Sequence, residues 1–167
     1  MKLINVLEGA AEILGLQPTS HPILRRCANL VLANIASNHR DCESKQTFTV
    51  TDGRIEYKQF DKTFLRAKSV FVNGAEANYS LFIDFIGVPN GRAEITYYYV
   101  PSYPDDLNYE IFVPNLSEQT FIYGVITEYA LIAGSFNEAK AWNEKFESGL
   151  FGTSDKNKTL KLKAERW

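Results

Sequence analysis

Residues able to do covalent, acid–base or metal chemistry are sparse in this chain of 167 residues, which has two histidines and two cysteines. His39 and Cys42 lie together in the linker His39-Arg40-Asp41-Cys42 and supply half of a zinc ligand set. No second ligand pair follows at a usable spacing, so a polar linker is the expected reading. His21 stands beside Pro22 where a helix starts and reads as a surface residue. Asp84 and Glu94 fall on extended segments that a sheet can bring together, and paired carboxylates do acid–base work in a cleft. Charged side chains on the wet face of a sheet are far commoner, so both are read as structural. There is no Gly-rich phosphate loop, nucleophile elbow or paired-histidine helix motif. The expectation is therefore no catalytic residue, no metal ligand, no cofactor and no enzymatic activity. Two cysteines without partners define no disulfide and fit a reducing compartment.

The strongest chemical bias lies in an arm spanning residues 153–167. It holds five basic residues against two acidic ones, a local charge of +3 that leaves −5 on the remainder of a chain whose formal net charge is −2. The acidic remainder repels nucleic acid, whereas the arm suits an acidic partner. Within it Thr159-Leu160-Lys161-Leu162-Lys163 alternates apolar and basic residues, the pattern of a strand with one apolar side and no partner in its own chain. Strand addition to a neighbouring subunit satisfies such a segment. Bulky apolar residues are unusual in tails that stay solvated. The candidate interface residues are Lys156, Lys158, Leu160, Lys161, Leu162, Lys163, Arg166 and Trp167.

Two helix pairs frame the rest. Leu3, Val6, Leu7, Ala10, Ala11 and Leu14 recur at helical spacing until Gly15, and Pro18 prevents continuation. Ser20 caps a second helix that buries Leu24, Cys27, Ala28, Val31 and Ile35 and turns Arg25, Arg26, Asn29 and Asn34 to solvent. Toward the other end, Asn115 caps a helix with Glu118 three residues on, and Phe121, Ile122, Val125, Ile126, Tyr129 and Ala133 form its apolar face. Gly134 stops it, and Ser135 with Glu138 makes a capping box for the next, which carries Phe136, Ala139, Trp142, Phe146 and Leu150. So short a connection makes these helices antiparallel. Gly134 followed by Ala139 resembles a tetratricopeptide unit, but the pattern occurs once and such units need stacked copies.

From 46 to about 113 the period changes to alternation, with dense aromatic and β-branched residues. Thr47-Phe48-Thr49-Val50 and Arg54-Ile55-Glu56-Tyr57 flank Thr51-Asp52-Gly53, which predicts a hairpin. A second hairpin is expected from 78–86 and 92–100 around Gly87-Val88-Pro89-Asn90-Gly91, with a further strand over 64–72 before Asn73-Gly74. The tyrosines from Tyr97 to Tyr109 read mainly as half-buried sheet aromatics. The predicted fold is α+β: an antiparallel bundle of about four helices with an inserted antiparallel β-sheet or small sandwich and an extended C-terminal arm. Its segments are 1–45 (helix pair), 46–113 (β insert), 114–152 (helical hairpin) and 153–167 (arm). No apolar run is long enough to span a bilayer, and Met1-Lys2 leads into an amphipathic helix carrying Glu8 and Glu12 instead of a secretory signal, so a cytosolic protein is expected.

Nearly the whole layout resembles the head-to-tail connector proteins of tailed bacteriophages, also called adaptor or head-completion proteins. The resemblance is carried by the two N-terminal helices, the β-rich insert with Ile95-Thr96-Tyr97-Tyr98-Tyr99-Val100-Pro101, and Pro114. It continues through Tyr123-Gly124-Val125-Ile126-Thr127-Glu128-Tyr129, then Gly134-Ser135-Phe136-Asn137-Glu138-Ala139-Lys140-Ala141-Trp142, and the basic arm. It implies a virion structural protein, assembled in the bacterial host cytoplasm, that forms a ring of about twelve subunits. The implied partners are the portal protein, identical subunits, and the tail or next connector protein, with DNA passing through the channel without sequence-specific binding and no membrane contact. In that family the arm commonly reaches the portal, which carries over to residues 156–167. A tail-completion ring protein shares the layout, and a non-viral binding module using the tyrosine-rich sheet is the remaining alternative.

Overall fold

Helical periodicity is realised at both ends of the chain and alternation in the middle. The computed structural model describes residues 1–17 and 21–152, so the arm, Pro18, Ser20 and the side chain of His21 lie outside the described residues. The helices are α1 (Leu3–Leu14), α2 (His21–Asn38), α3 (Glu118–Ile132) and α4 (Phe136–Gly152). The strands are β1 (Glu43–Val50), β2 (Arg54–Glu56), β3 (Thr63–Val72), β4 (Ala75–Glu76), β5 (Ser80–Leu81), β6 (Phe85–Gly87) and β7 (Gly91–Val100). They form a four-stranded sheet, β1-β7-β3-β4, and a three-stranded sheet, β2-β6-β5, with antiparallel pairings throughout. This is an α+β fold. The chain divides into two units, one of Met1–Val31 with the chain from Tyr103 onward, the other Leu32–Ser102, the first division falling within α2.

In the helical unit α3 is central. Phe121, Ile122, Val125 and Ile126 are buried, as expected from their spacing, and α3 packs on α4 and α1. Glycine permits the close approaches. A Cβ on Gly124 would stand 2.8 Å from Val31 Cγ1 of α2 and 2.9 Å from Phe146 Cε2 of α4, and one on Gly9 of α1 would stand 2.7 Å from Ile122 Cδ1. Phe136, assigned to the apolar face of α4, is instead 69% exposed, whereas Ala139, Phe146 and Leu150 are buried. The cap of α3 also differs from expectation. Ser117 Oγ accepts from the Thr120 N–H at 3.1 Å, while Asn115 adopts a left-handed φ of 55° in the turn before it. That turn, closed by Leu116 N donating to Val113 O, places Asn115 too early to cap.

Residues 103–113, expected to continue the β insert, belong to the helical unit. Leu3 N and Ile4 N in the first turn of α1 donate to the carbonyls of Tyr109 (3.0 Å) and Leu107 (2.9 Å), so this segment satisfies helix donors that no side chain caps. Asn29 holds it in place. Its amide nitrogen donates to Tyr103 O at 3.1 Å and its oxygen accepts from Tyr103 N at 2.7 Å, which is why a residue assigned to the solvent side of α2 is half-buried.

In the other unit both predicted hairpins are replaced by corners that switch sheets. β1 pairs with β7 and not with β2; β6 pairs with β2 and β5 and not with β7. The two corners are stitched together, Val88 N donating to Gly53 O at 3.0 Å and Gly53 N to Asn90 Oδ1 at 2.7 Å. The physical reason is coverage. Val50, Val70, Val72, Ala93, Ile95 and Tyr97 form one buried cluster with Ile55, Phe60, Ile86 and Val88, so the small sheet and its adjoining turn supply the second layer of a sandwich. A hairpin of β1 with β2 would have left that inner face in water. The strand predicted over 64–72 is present as β3, and Asn73 (φ 53°) and Gly74 (φ 84°) turn it into β4.

Gly124→Ala is expected to lower unfolding free energy by about 1–3 kcal/mol through overpacking against Val31 and Phe146, read from urea denaturation. A neutral result would contradict the packing described. Burial raises the Glu128 carboxyl above its ordinary value, and burial followed by the Glu128 charge pushes the Cys27 thiol up to about 11. The folded state thus holds the Glu128 proton more tightly than the unfolded state, and stability declines as pH rises from the ordinary carboxylate value to the raised value of the folded protein. Glu128→Gln should melt higher than the parent at pH 7 and converge with it at acidic pH; parallel curves at both would refute the shift.

Candidate interaction surface

The candidate chemical residues do not assemble into a reactive site. His39 is half-buried and Cys42 buried, with the Cys42 thiol raised by burial and then by Asp41. Among the described residues no three His, Cys, Asp or Glu side chains gather as a metal site. Asp84 sits in the bend between β5 and β6, whereas Glu94 lies on β7 of the other sheet and pairs with Lys45 at 2.7 Å. These carboxylates are therefore not strand neighbours. A shallow, open hollow of about 450 Å³ is lined by Glu56, Tyr57, Lys58, Ile83 and Asp84. Its Glu56 is held below the ordinary carboxylate value by the hydrogen bond and charge of Lys58, the opposite of what a general acid at neutral pH requires. No described helix is long and apolar enough to cross a membrane.

The tyrosine-rich run is divided among different jobs. Tyr97 is buried, its ring edge-on to Phe60 at 4.7 Å; Tyr103 is buried, its hydroxyl donating to Met1 O at 3.0 Å. Tyr98 lies on the outer face of the four-stranded sheet beneath the Arg66 guanidinium, 4.5 Å from the ring centroid. Around it the charges pair off: Arg66 with Asp41 at 3.0 Å, Lys68 with Glu43 at 2.6 Å, Lys45 with Glu94 at 2.7 Å. A face neutralised in this way offers phosphate little net attraction.

Exposed apolar residues are the feature that sequence periodicity missed. The segment 78–86 has the composition of a strand, but β5 and β6 are short; Leu81 ends β5, and Phe82 and Ile83 stand in the tip between the two strands. Ile83 is 95% exposed. The tip is ordered by contacts of its own, the Phe82 and Phe85 rings stacking at 4.5 Å and Tyr57 Oη donating to Phe82 O at 2.9 Å. In the helical unit Leu131, Ile132 and Phe136 are exposed on either side of Gly134, and Phe112, 79% exposed, stands between buried Ile111 and Val113. Alternation within the connecting segment forces Phe112 outward once its neighbours are buried. Exposed apolar tips held in fixed conformations are features of association surfaces, each fully buried side chain contributing roughly 1.5–3 kcal/mol. The candidate arm residues, from Lys156 to Trp167, lie outside the described residues. No protein-family model matches this chain, and no curated protein matches its sequence.

Ile83→Ser should change monomer stability by less than about 0.5 kcal/mol, because little native burial is lost, while weakening association. Thermal melting together with sedimentation velocity checks this; unchanged association would remove the 81–83 tip from the interaction surface.

Proposed function

We propose that this protein is a head-to-tail connector of a tailed bacteriophage, a ring of about twelve copies that docks on the portal and joins head to tail around the DNA channel. The observation that carries the reading is the pair of unlike apolar features, the Leu81-Phe82-Ile83 tip in one unit and the Leu131, Ile132 and Phe136 cluster in the other. Closed rings are built from heterologous contacts, in which two different patches of one subunit meet complementary patches on its neighbours. The charge distribution supports the same reading. An acidic body with a paired-off outer sheet face lets a polyanion pass without holding it, while the arm at residues 153–167 carries the basic excess suited to a portal or neighbouring subunit. Structural assembly, without catalysis or cofactor, is the function proposed. Burial of Tyr97 and Tyr103 leaves less aromatic surface than a sheet-based ligand module would use.

Negative-stain electron microscopy of the purified protein, alone and mixed with portal particles, is expected to show rings or a cap of added density on the portal. Compact monomers that leave the portal bare would overturn the proposal.

A further inference from the structure

The four-stranded sheet closes its two sides differently. On one side β3 carries two register shifts and is followed by β4, only two residues long. Short, irregular edges of this kind resist pairing with another chain. On the other side β1 runs for eight residues in unbroken register with β7, without a bulge or proline. Tyr99 N donates to Cys42 O, which sets the phase of the ladder: Ser44, Gln46 and Phe48 bond to β7, and the backbone groups of Glu43, Lys45, Thr47 and Thr49 face outward. Among the described residues no strand pairs with that edge. The nearby loop is tied instead by the Gln46 side chain, to Gln59 O at 3.0 Å and Asp61 N at 2.9 Å.

The usual guards are also missing from this edge. A lysine at an edge strand ordinarily repels a second strand, but Lys45 Nζ is turned across β7 to Glu94, and Glu43 reaches Lys68 on β3. The charged side chains lean inward over the sheet, and Thr47 and Thr49 complete an exposed outer row. On the opposite face Phe48 remains only partly buried against the sandwich core. An incoming strand therefore meets an inner row of Ser44, Gln46, Phe48 and Val50, apolar at its Phe48–Val50 end, and a polar outer row that includes a carboxylate.

We infer that Thr159-Leu160-Lys161-Leu162-Lys163 of a second copy adds to the free edge of β1, extending the sheet between subunits. This rests on the assembly of identical copies proposed above and names the contact that links them. The alternation of the arm suits the two faces of β1: Leu160 and Leu162 fall on the inner face, where Phe48 and Val50 offer apolar contact, and Lys161 and Lys163 fall on the outer row with Glu43 and the neighbouring Asp41. Net charge favours the union, +3 on the arm against −5 on the rest. Six residues separate Gly152 from Thr159, a reach of roughly 25 Å, enough for an arm to leave its own subunit.

Disulfide trapping between full-length chains tests this, since both native cysteines are buried. One chain carries Thr47→Cys or Thr49→Cys, and the other carries a single cysteine replacing Thr159, Leu160, Lys161, Leu162 or Lys163. Expected are linked dimers in mixtures with Thr159→Cys, Lys161→Cys or Lys163→Cys, their absence with Leu160→Cys and Leu162→Cys, and their loss when Leu160→Asp and Leu162→Asp are added to the arm. That period-two pattern is specific to strand addition, because only residues on the same face bring their Cβ atoms together. No linked dimer at any pair, linkage without the alternation, or closure only within a chain carrying both cysteines would each overturn the inference. Microscopy of the same samples separates the two proposals: rings or capped portals without trapping leave the connector reading standing, whereas trapping without either leaves the strand contact standing alone.

Discussion

An apolar sheet face must be covered, and the architecture of residues 32–102 follows from how this chain covers it. The inner residues of β1, β7 and β3 cannot stay in water, yet sequential hairpins would place every strand in one sheet and nothing over it. The chain leaves the large sheet after Val50 to contribute Ile55 and Phe60 to a second layer, rejoins the large sheet as β3 and β4, leaves again to contribute Ile86 and Val88, and returns at Gly91. Because the first departure and the last return occur at the same corner, Asn90 and Val88 can bond to Gly53 and fix them together. The cost of this solution is that β1 loses the partner that a simple hairpin would have given it, and among the described residues its long regular edge has no strand beside it. The edge is a consequence of the sandwich.

The helical unit meets a similar constraint by other means. Several partners must approach α3 closely, and Gly124, with Gly9 on α1, removes the side chain where the neighbours come nearest. The segment 103–113 supplies backbone acceptors to the start of α1 and is itself pinned by the Asn29 amide. Residues far apart in sequence thus complete one another's hydrogen bonds, and the exposed side chains of that segment, Phe112 foremost, are those left over after the alternation has been used for packing.

Much of this is legible in the sequence and some is not, for reasons that lie in range. Helical periodicity with Gly15 and Gly134 as stops locates α1, α3 and α4, because helix termination is local chemistry. The cap of α3 falls at Ser117 because the preceding turn, with Asn115 in the left-handed region, decides which side chain faces the first amides. Thr51-Asp52-Gly53 carries the composition of a hairpin turn, yet whether the chain pairs back or crosses to another layer depends on the apolar face of strands some forty residues away. The same holds for Leu81-Phe82-Ile83, an apolar run of the kind found in strands, whose side chains are left exposed among the described residues. Asn29 gave no signal, since its partner is a backbone unit of residue 103. The exposed apolar tips required the structure, because exposure depends on what the rest of the fold covers.

Among the described residues, the exposed apolar tips and the outward backbone of β1 are the groups that the fold itself leaves uncovered or without a strand partner. The most direct measurement of the central claim is backbone amide hydrogen exchange in the full-length protein as its concentration is raised. Amides of Ser44, Gln46 and Phe48, bonded to β7, serve as an internal reference that is slow throughout. The account predicts that Lys45, Thr47 and Thr49 exchange rapidly when dilute and slow as copies associate. Rapid exchange of those three at every concentration would contradict it.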